Sequence, residues 1–317
     1  MTPDGASRPA GRRRAFAGVI AACVLLVACG GDDDDGSGGG GGGDASGPPA
    51  SGTDVDDRRV VVLAEEFVLA DVLDLGIQPV ASTASVPEVG FQGLEDYDTG
   101  GIEVLPMTTL SLEHLASLRP DVLVTLQFWV DQIGEDALRD MGDLVVVPDG
   151  LTVPERVTVL GDLLDRPDEA ASLVAEHEEA IERAGEAVPD DCTVSLAAIY
   201  PGPSPAAFVA GPWDLPTSIL STGCTLDPDP SVVAPDENGR VYLSLEQLDI
   251  LDAPTLVLLQ SETVEGEPEA MDDIASNPLW SKLPAVRDDN VVVFDRLGYP
   301  GATGQIRFLD EFAALFD

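Results

Sequence analysis

The sequence predicts an α/β protein whose folded body is two similar lobes with mainly parallel sheets, joined by one long helical segment and facing each other across a ligand cleft. Three observations lead to this expectation. Strand-like and helix-like segments alternate along the chain, one helix–strand unit occurs twice, and a long charged helix lies between the two copies.

The chain opens with a segment that is not part of the body. In residues 1–28 a basic cluster, Arg12-Arg13-Arg14, precedes an apolar stretch from Phe16 to Ala28 that is too short to span a bilayer and stay there, which is the anatomy of a signal peptide. The stretch ends in Leu26-Val27-Ala28-Cys29-Gly30, which is similar to a bacterial lipoprotein processing box, where the Cys is acylated and becomes the first mature residue. Cys29 is therefore the expected membrane anchor, with an ordinary secretory signal as the alternative. Arg13-Arg14-Ala15-Phe16 also has the look of a twin-arginine signal, so the export route stays open. Residues 29–57 form the lipidated Cys and a Gly, Ser, Pro and Asp linker without apolar periodicity, unable to bury enough surface to order itself. Such a tether places a body about 30 Å from its anchor on average. Its run of glycines contains G-x-G-x-x-G with no strand before it and no helix after it, so it is not a dinucleotide motif.

Charge narrows the partners. The 317 residues carry 16 Lys and Arg against 58 Asp and Glu, a net charge of −42. Without the signal the balance is 12 basic to 57 acidic, near −45. That field excludes nucleic acid as a partner and disfavours a strongly anionic ligand unless local arginines counter it. No second apolar segment approaches 18 residues, so lipid is the expected sole membrane attachment. Cys192 and Cys224 are the cysteines of the exported body and are expected to pair, with two buried thiols as the alternative.

The N-terminal lobe is expected at 58–153. Arg59 to Ala64 reads as a buried strand, Glu65-Glu66-Phe67 open a helix through Leu73, Gly76 ends it, and Pro79-Val80 begin a return strand. A helix at 111–118, a strand at 121–126, a helix near 131–140 and a strand at 143–147 continue the alternation. Residues 154–189 read as the lobe-bridging helical segment, broken at Arg166-Pro167-Asp168, with charge over much of the surface of its second half. The C-terminal lobe, 190–317, starts with a strand from Val194 to Tyr200 and includes another at 291–295.

The repeat ties the halves together. Residues 110–127, LSLEHLASLRPDVLVTLQ, align without gaps to 243–260, LSLEQLDILDAPTLVLLQ, with 10 of 18 positions identical. Each copy starts a helix after a Ser suited to cap it, Ser111 or Ser244, and ends a β-branched strand in Gln127 or Gln260. Two such lobes set the carboxyl ends of their sheets, where open α/β sheets bind ligands, on either side of one cleft.

RVVVLAEEFVLADVLDLGIQPVAS, SLEHLASLRPDVLV, the bridging helix and NPLWSKLPAVRDDNVVVFD, in that order and spacing over about residues 58–317, resemble the substrate-binding proteins of ABC transporters for ferric siderophores, haem and cobalamin. The resemblance implies two Rossmann-like lobes joined by a long helix that permits only small closure. It implies partners as well: a permease with its ATPase, and a small-molecule ligand, a ferric siderophore before cobalamin or haem. The protein is expected to act as a monomer on the extracytoplasmic face of the membrane or in the periplasm. A non-transport surface lipoprotein is the alternative from another class.

Catalysis is not expected. The sequence has no P-loop, no G-x-S-x-G and no H-E-x-x-H, and its two histidines, His114 and His177, fall on helices as solvated residues. No cofactor or resident metal is expected either, since two scattered histidines do not make a zinc or manganese site. A large chelate asks for aromatic walls and a few directed polar groups. Candidates just past strand ends are Glu65 and Phe67, with Glu66 between them, Gln127 and Trp129, with Phe128 between them, Tyr200, Gln260, Arg296 and Tyr299; Trp213 follows a Gly-Pro turn. Trp129 is expected to be a cleft wall because it lies in a polar segment beyond a strand, and Arg296 to meet an anionic chelate oxygen. Glu113 and Glu246, equivalent in the repeat, are the expected permease-docking residues, since the resemblance implies one glutamate per lobe against permease arginines; helix-dipole stabilisation alone would also favour Glu there.

Overall fold

The computed structural model describes residues 58–202, 204–210, 213–236 and 238–316; the signal peptide, Cys29 and the linker through residue 57 lie outside the described residues.

The first sheet is parallel throughout, in the order β3-β2-β1-β4-β5, with β1 Val60–Leu63, β2 Ala81–Ala84, β3 Glu103–Pro106, β4 Val122–Leu126 and β5 Asp143–Val147. All four residues of β1 are buried, as a central parallel strand covered on both faces requires. Its alternate residues enter different cores. Val60 and Val62 pack with Val68, Leu69 and Val72 of helix α1 (Glu66–Asp74). Val61 and Leu63 pack with Leu115 of α2 (Leu112–Ser117), Trp129 and Val130 of α3 (Gln127–Ile133) and Leu138 of α4 (Glu135–Arg139).

Two helices follow, α5 (Val153–Leu163) and α6 (Pro167–Ala187). Thr152 and Glu155 close a capping box at the start of α5, and Pro167 starts α6 where its missing N–H costs nothing. On α6 the residues Ala170, Leu173, His177, Ala180 and Ala184 form one buried stripe at helical spacing, while its glutamates face outward. His177 is thus buried rather than solvated, because the stripe carries it inward.

The second sheet is mixed, in the order β11-β10-β6-β7-β9, with β8 also on β6. The strands are β6 Thr193–Tyr200, β7 Ser204–Phe208, β8 Thr225–Leu226, β9 Arg240–Tyr242, β10 Thr255–Gln260 and β11 Val291–Asp295; β7 is antiparallel to β6 and β9. Helices α7 (Asp214–Ser221), α8 (Glu267–Ala275) and α9 (Pro284–Arg287) pack on it. A disulfide joins Cys192 to Cys224, Cα–Cα 4.7 Å, at the starts of β6 and β8, which are themselves paired.

The repeated segments occupy equivalent places. Each supplies a short helix, α2 or the 3₁₀ helix Leu245–Ile250, and then the strand flanking the first strand of its own sheet, β4 beside β1 and β10 beside β6. Ser111 accepts a hydrogen bond from the His114 amide, and Ser244 forms a capping box with Gln247.

The last helix, α10 (Gly301–Ala313), is not confined to the second sheet. It packs along α6 and also on α1 and α7. Its start lies so close to α1 that a Cβ on Gly301, φ +67°, would stand 2.5 Å from the Ala70 Cβ, so only glycine fits. Among the described residues no helix is long and apolar enough to cross a membrane.

Candidate functional site

The first wall is the carboxyl end of β1. The chain turns there directly into α1, with Glu65 at the cap and Glu66 as the first helical residue. Glu66 is buried, and its carboxylate accepts from the Ser85 amide at 2.9 Å and the Ser85 hydroxyl at 2.5 Å, tying the ends of β1 and β2 together. Glu65 is exposed; its carbonyl accepts from the Val68 amide at 3.1 Å, and among the described residues its side chain makes no hydrogen bond or ion pair. Its acid is pushed up by loss of hydration and then by the charge of Glu66, with Arg296 pulling the other way. The segment that follows β11 packs on the first lobe, with Leu297 and Pro300 against Gly93 and Gly301 against Ala70 and Asp71 of α1.

The second wall is built from the C-terminal sheet. Arg296 follows β11, and its amide donates to the Gln260 carbonyl at the end of β10. Its Nη2 meets the fully buried Glu267 at 2.5 Å, and the other Glu267 oxygen accepts from the Ser261 amide at 2.7 Å. The guanidinium lies 5.3 Å from the centre of the Tyr200 ring, and its buried Nε has no hydrogen-bond partner among the described residues. From Tyr200 the wall continues to Tyr242, ring centres 6.4 Å apart. Arg240 stands 5.3 Å from the Tyr242 ring and 5.4 Å from the Trp213 ring, while its Nε donates to Asp236 at 3.2 Å. Strand pairing explains this row. Ala198 pairs with Ala206 and Ala206 with Tyr242, Phe208 pairs with Arg240, and Tyr200 lies two residues from Ala198, so Tyr200, Ala206, Tyr242, Phe208 and Arg240 share one face of the sheet. Loss of hydration works against the Arg240 charge, but Tyr200, Tyr242 and Asp236 outweigh it and hold its pKa above the ordinary range.

Arg156 of α5 joins the two walls. Its guanidinium lies 4.8 Å from the centre of the Phe67 ring, on the first wall, and hydrogen-bonds Asp214, the neighbour of Trp213. His177 is near this group, with both ring nitrogens buried and without a hydrogen-bond partner among the described residues, and burial pushes its pKa down.

The sequence candidates therefore divide. Glu65, Phe67, Tyr200, Trp213 and Arg296 come together around the junction of the lobes, and the Gln260 backbone anchors Arg296. Gln127 is exposed but bonded within its own helix to Asp131 at 2.8 Å. Trp129, expected as a wall, is 5 % exposed and belongs to the N-terminal core. The reason is local: α3 starts at Gln127 with no intervening loop, which turns Trp129 inward and leaves Phe128, its edge-on neighbour, 54 % exposed. Tyr299 is likewise drawn into packing against Phe294 and Phe308, with its hydroxyl on Glu311 at 2.5 Å. His114 pairs with Glu103 at 2.6 Å on the surface. Glu113 and Glu246 are both exposed in first helical turns, and among the described residues neither makes an ion pair. Arg240, Tyr242, Glu267 and Arg156 are absent from the sequence candidates. The signal for the first two was present: in Arg240-Val241-Tyr242 the strand period puts both on one face, and arginine is scarce in so acidic a chain.

An alternation of flat aromatic rings and guanidinium groups can stack on a large ligand and donate to its oxygens. Among the described residues no cluster of three or more His, Cys, Asp or Glu could hold a metal ion directly.

The sequence from 61 to 296 matches the family model described as periplasmic binding protein. No curated protein sequence matches. Among solved structures, the fold is similar to Staphylococcus aureus SirA complexed with staphyloferrin B: 16 % identity, TM-score 0.69, over 81 % of this chain and 92 % of that one. FhuD2 of Staphylococcus aureus with bound ferrioxamine B aligns at 17 % identity and TM-score 0.66 over 82 % and 100 %. The triscatecholate siderophore binding protein FeuA of Bacillus subtilis, complexed with ferri-bacillibactin, aligns at 18 % and 0.65 over 84 % and 93 %. At these identities the likeness is one of fold.

Proposed function

The chain belongs to the periplasmic binding protein family, an extracytoplasmic class, and on that premise we propose that it captures a ferric siderophore between its lobes and delivers it to the permease of an ABC importer. The observation that carries the reading is the continuous wall Trp213–Arg240–Tyr242–Tyr200–Arg296 facing the Glu65 end of β1. Rings give area to the organic shell of a chelate, and guanidinium groups meet its metal-bound oxygens.

The charges select within that class. Arg296 is matched by Glu267, Arg240 by Asp236 and Arg156 by two aspartates, while Glu65 makes no ion pair among the described residues. The lining thus offers no net positive charge to offset the acidic body, which favours a neutral or cationic chelate over a polyanionic one. Delivery is assigned to Glu113 and Glu246, exposed at equivalent places in the two lobes, and attachment to lipid at Cys29.

Titration of the purified protein with hydroxamate, catecholate and carboxylate ferric chelates, haem and cobalamin, followed by tryptophan emission, tests the reading. A neutral or cationic ferric chelate binding in the micromolar range or tighter is the expected result. Binding of haem or cobalamin alone would overturn the siderophore assignment and leave the family.

A further inference from the structure

We propose that Arg156 is the positioning residue of the cleft, holding the two walls at a fixed separation through a buried clamp, Asp71–Arg156–Asp214. The inference rests on the reading that the ligand lies between the lobes.

The side chain of Arg156 is 5 % exposed, and each of its three nitrogens that can donate is committed. Nε donates to Asp71 Oδ2 at 2.6 Å; Nη1 and Nη2 donate to the two oxygens of Asp214 at 3.1 and 2.9 Å. Asp71 lies on α1, directly behind the Glu65–Phe67 wall, and its other oxygen accepts from the Ala302 amide of α10 at 2.8 Å. Asp214 opens α7 and follows Trp213, the far end of the aromatic wall. One guanidinium therefore links a helix of the first lobe, the bridging segment and a helix of the second lobe.

The form of these contacts matters more than their charge. A two-pronged guanidinium–carboxylate pair fixes orientation as well as distance, which a single ammonium cannot do. Removed from water, the pair is also the only acceptable arrangement for its own members, since either partner alone would be a buried unpaired charge. Further lobe-to-lobe contacts lie on the α10 side: Thr303 N to Asp74 at 3.3 Å, Arg307 to Asp96 at 3.0 Å, and Gly93 packed so tightly on Leu297 and Pro300 that a Cβ would stand 2.5 Å from each. Without the clamp the α7 side, with Trp213 on it, is free to rock about that seam.

The test uses the full-length protein in detergent, spin-labelled at the exposed positions Asp136→Cys and Asp273→Cys, one in each lobe. Arg156→Lys keeps the charge and removes the two-pronged geometry; Asp214→Asn, at the more exposed end of the clamp, is the second variant. Electron–electron distance measurements are expected to show a broadened interlobe distribution in both, with ferric trihydroxamate affinity at least tenfold weaker and the change mainly in the off-rate. An unchanged distribution in Arg156→Lys overturns the proposal, and in Asp214→Asn does so if the lysine variant does not fold. If the wild type binds no ferric chelate while the distributions still broaden, the clamp stands and the siderophore reading falls.

Discussion

Replacing Arg296 with Met separates what that residue does for the fold from what it does for the ligand. Glu267 is fully buried, with one oxygen on the Ser261 amide and the other on Arg296. The variant leaves that carboxylate with half its donors and no counter-charge. Removing one partner of a fully buried pair costs roughly 3–5 kcal/mol. The Arg296 side chain is 23 % exposed, so water reaching the vacated space offsets part of this, and a loss of about 2–3 kcal/mol is expected. In a body of this size that lowers Tm by roughly 5–10 °C. Adding Glu267→Gln removes the stranded charge while its amide oxygen still accepts from Ser261, so the double variant should return to within about 1 kcal/mol of the wild type. Ferric chelate affinity should stay depressed in both. Thermal melts by circular dichroism and fluorescence titrations measure the two quantities. An unchanged Tm in Arg296→Met would refute the burial reasoning, and affinity recovering together with stability in the double variant would make Arg296 purely structural.

Further expectations concern pH, delivery and attachment. Loss of hydration pushes Asp71 from an ordinary 3.8 up to about 6 despite Arg156, and the same cause raises Glu65, Asp74 and Asp227. The native state then holds protons that the unfolded chain has released, so stability should fall as pH rises from about 4 through 6, and Asp71→Asn should flatten that slope in chemical denaturation series. Glu113→Ala with Glu246→Ala should leave chelate affinity within twofold and abolish cellular uptake; normal uptake would leave only helix-dipole stabilisation to explain the two glutamates. Cys29→Ala should move the protein from the membrane fraction to the soluble one, and continued membrane retention would contradict lipid attachment.

What could be read from sequence follows from how local each signal is. The apolar run of β1, the Ser-capped repeat and the long charged run of α6 are signals that one segment carries alone, and the structure shows the elements they predict. The repeat went further, since its two copies flank the first strands of their own sheets. Trp129 shows where this ends. Whether a ring after a strand faces ligand or core depends on the residue at which the next helix begins, and a shift from near 131 to Gln127 turns it inward. Arg156 and Glu267 lay further out of reach, because their partners are distant in sequence: Asp71 is 85 residues from Arg156, and Arg296 is 29 from Glu267. Long-range ion pairs leave no periodicity, and in a chain with 58 acidic residues no carboxylate stands out by type.

The most direct measurement of the central claim is the quenching of tryptophan emission by a ferric trihydroxamate, compared between the wild type and Trp213→Phe. Trp213 is 38 % exposed at the end of the Arg240–Tyr200–Arg296 wall, whereas Trp129 is enclosed in the N-terminal core. Saturable quenching in the micromolar range or tighter that is largely lost in Trp213→Phe, with binding of the chelate retained by calorimetry, is the predicted result. No saturable binding of any ferric chelate, or full quenching that persists in Trp213→Phe, would contradict the placement of the ligand on this wall.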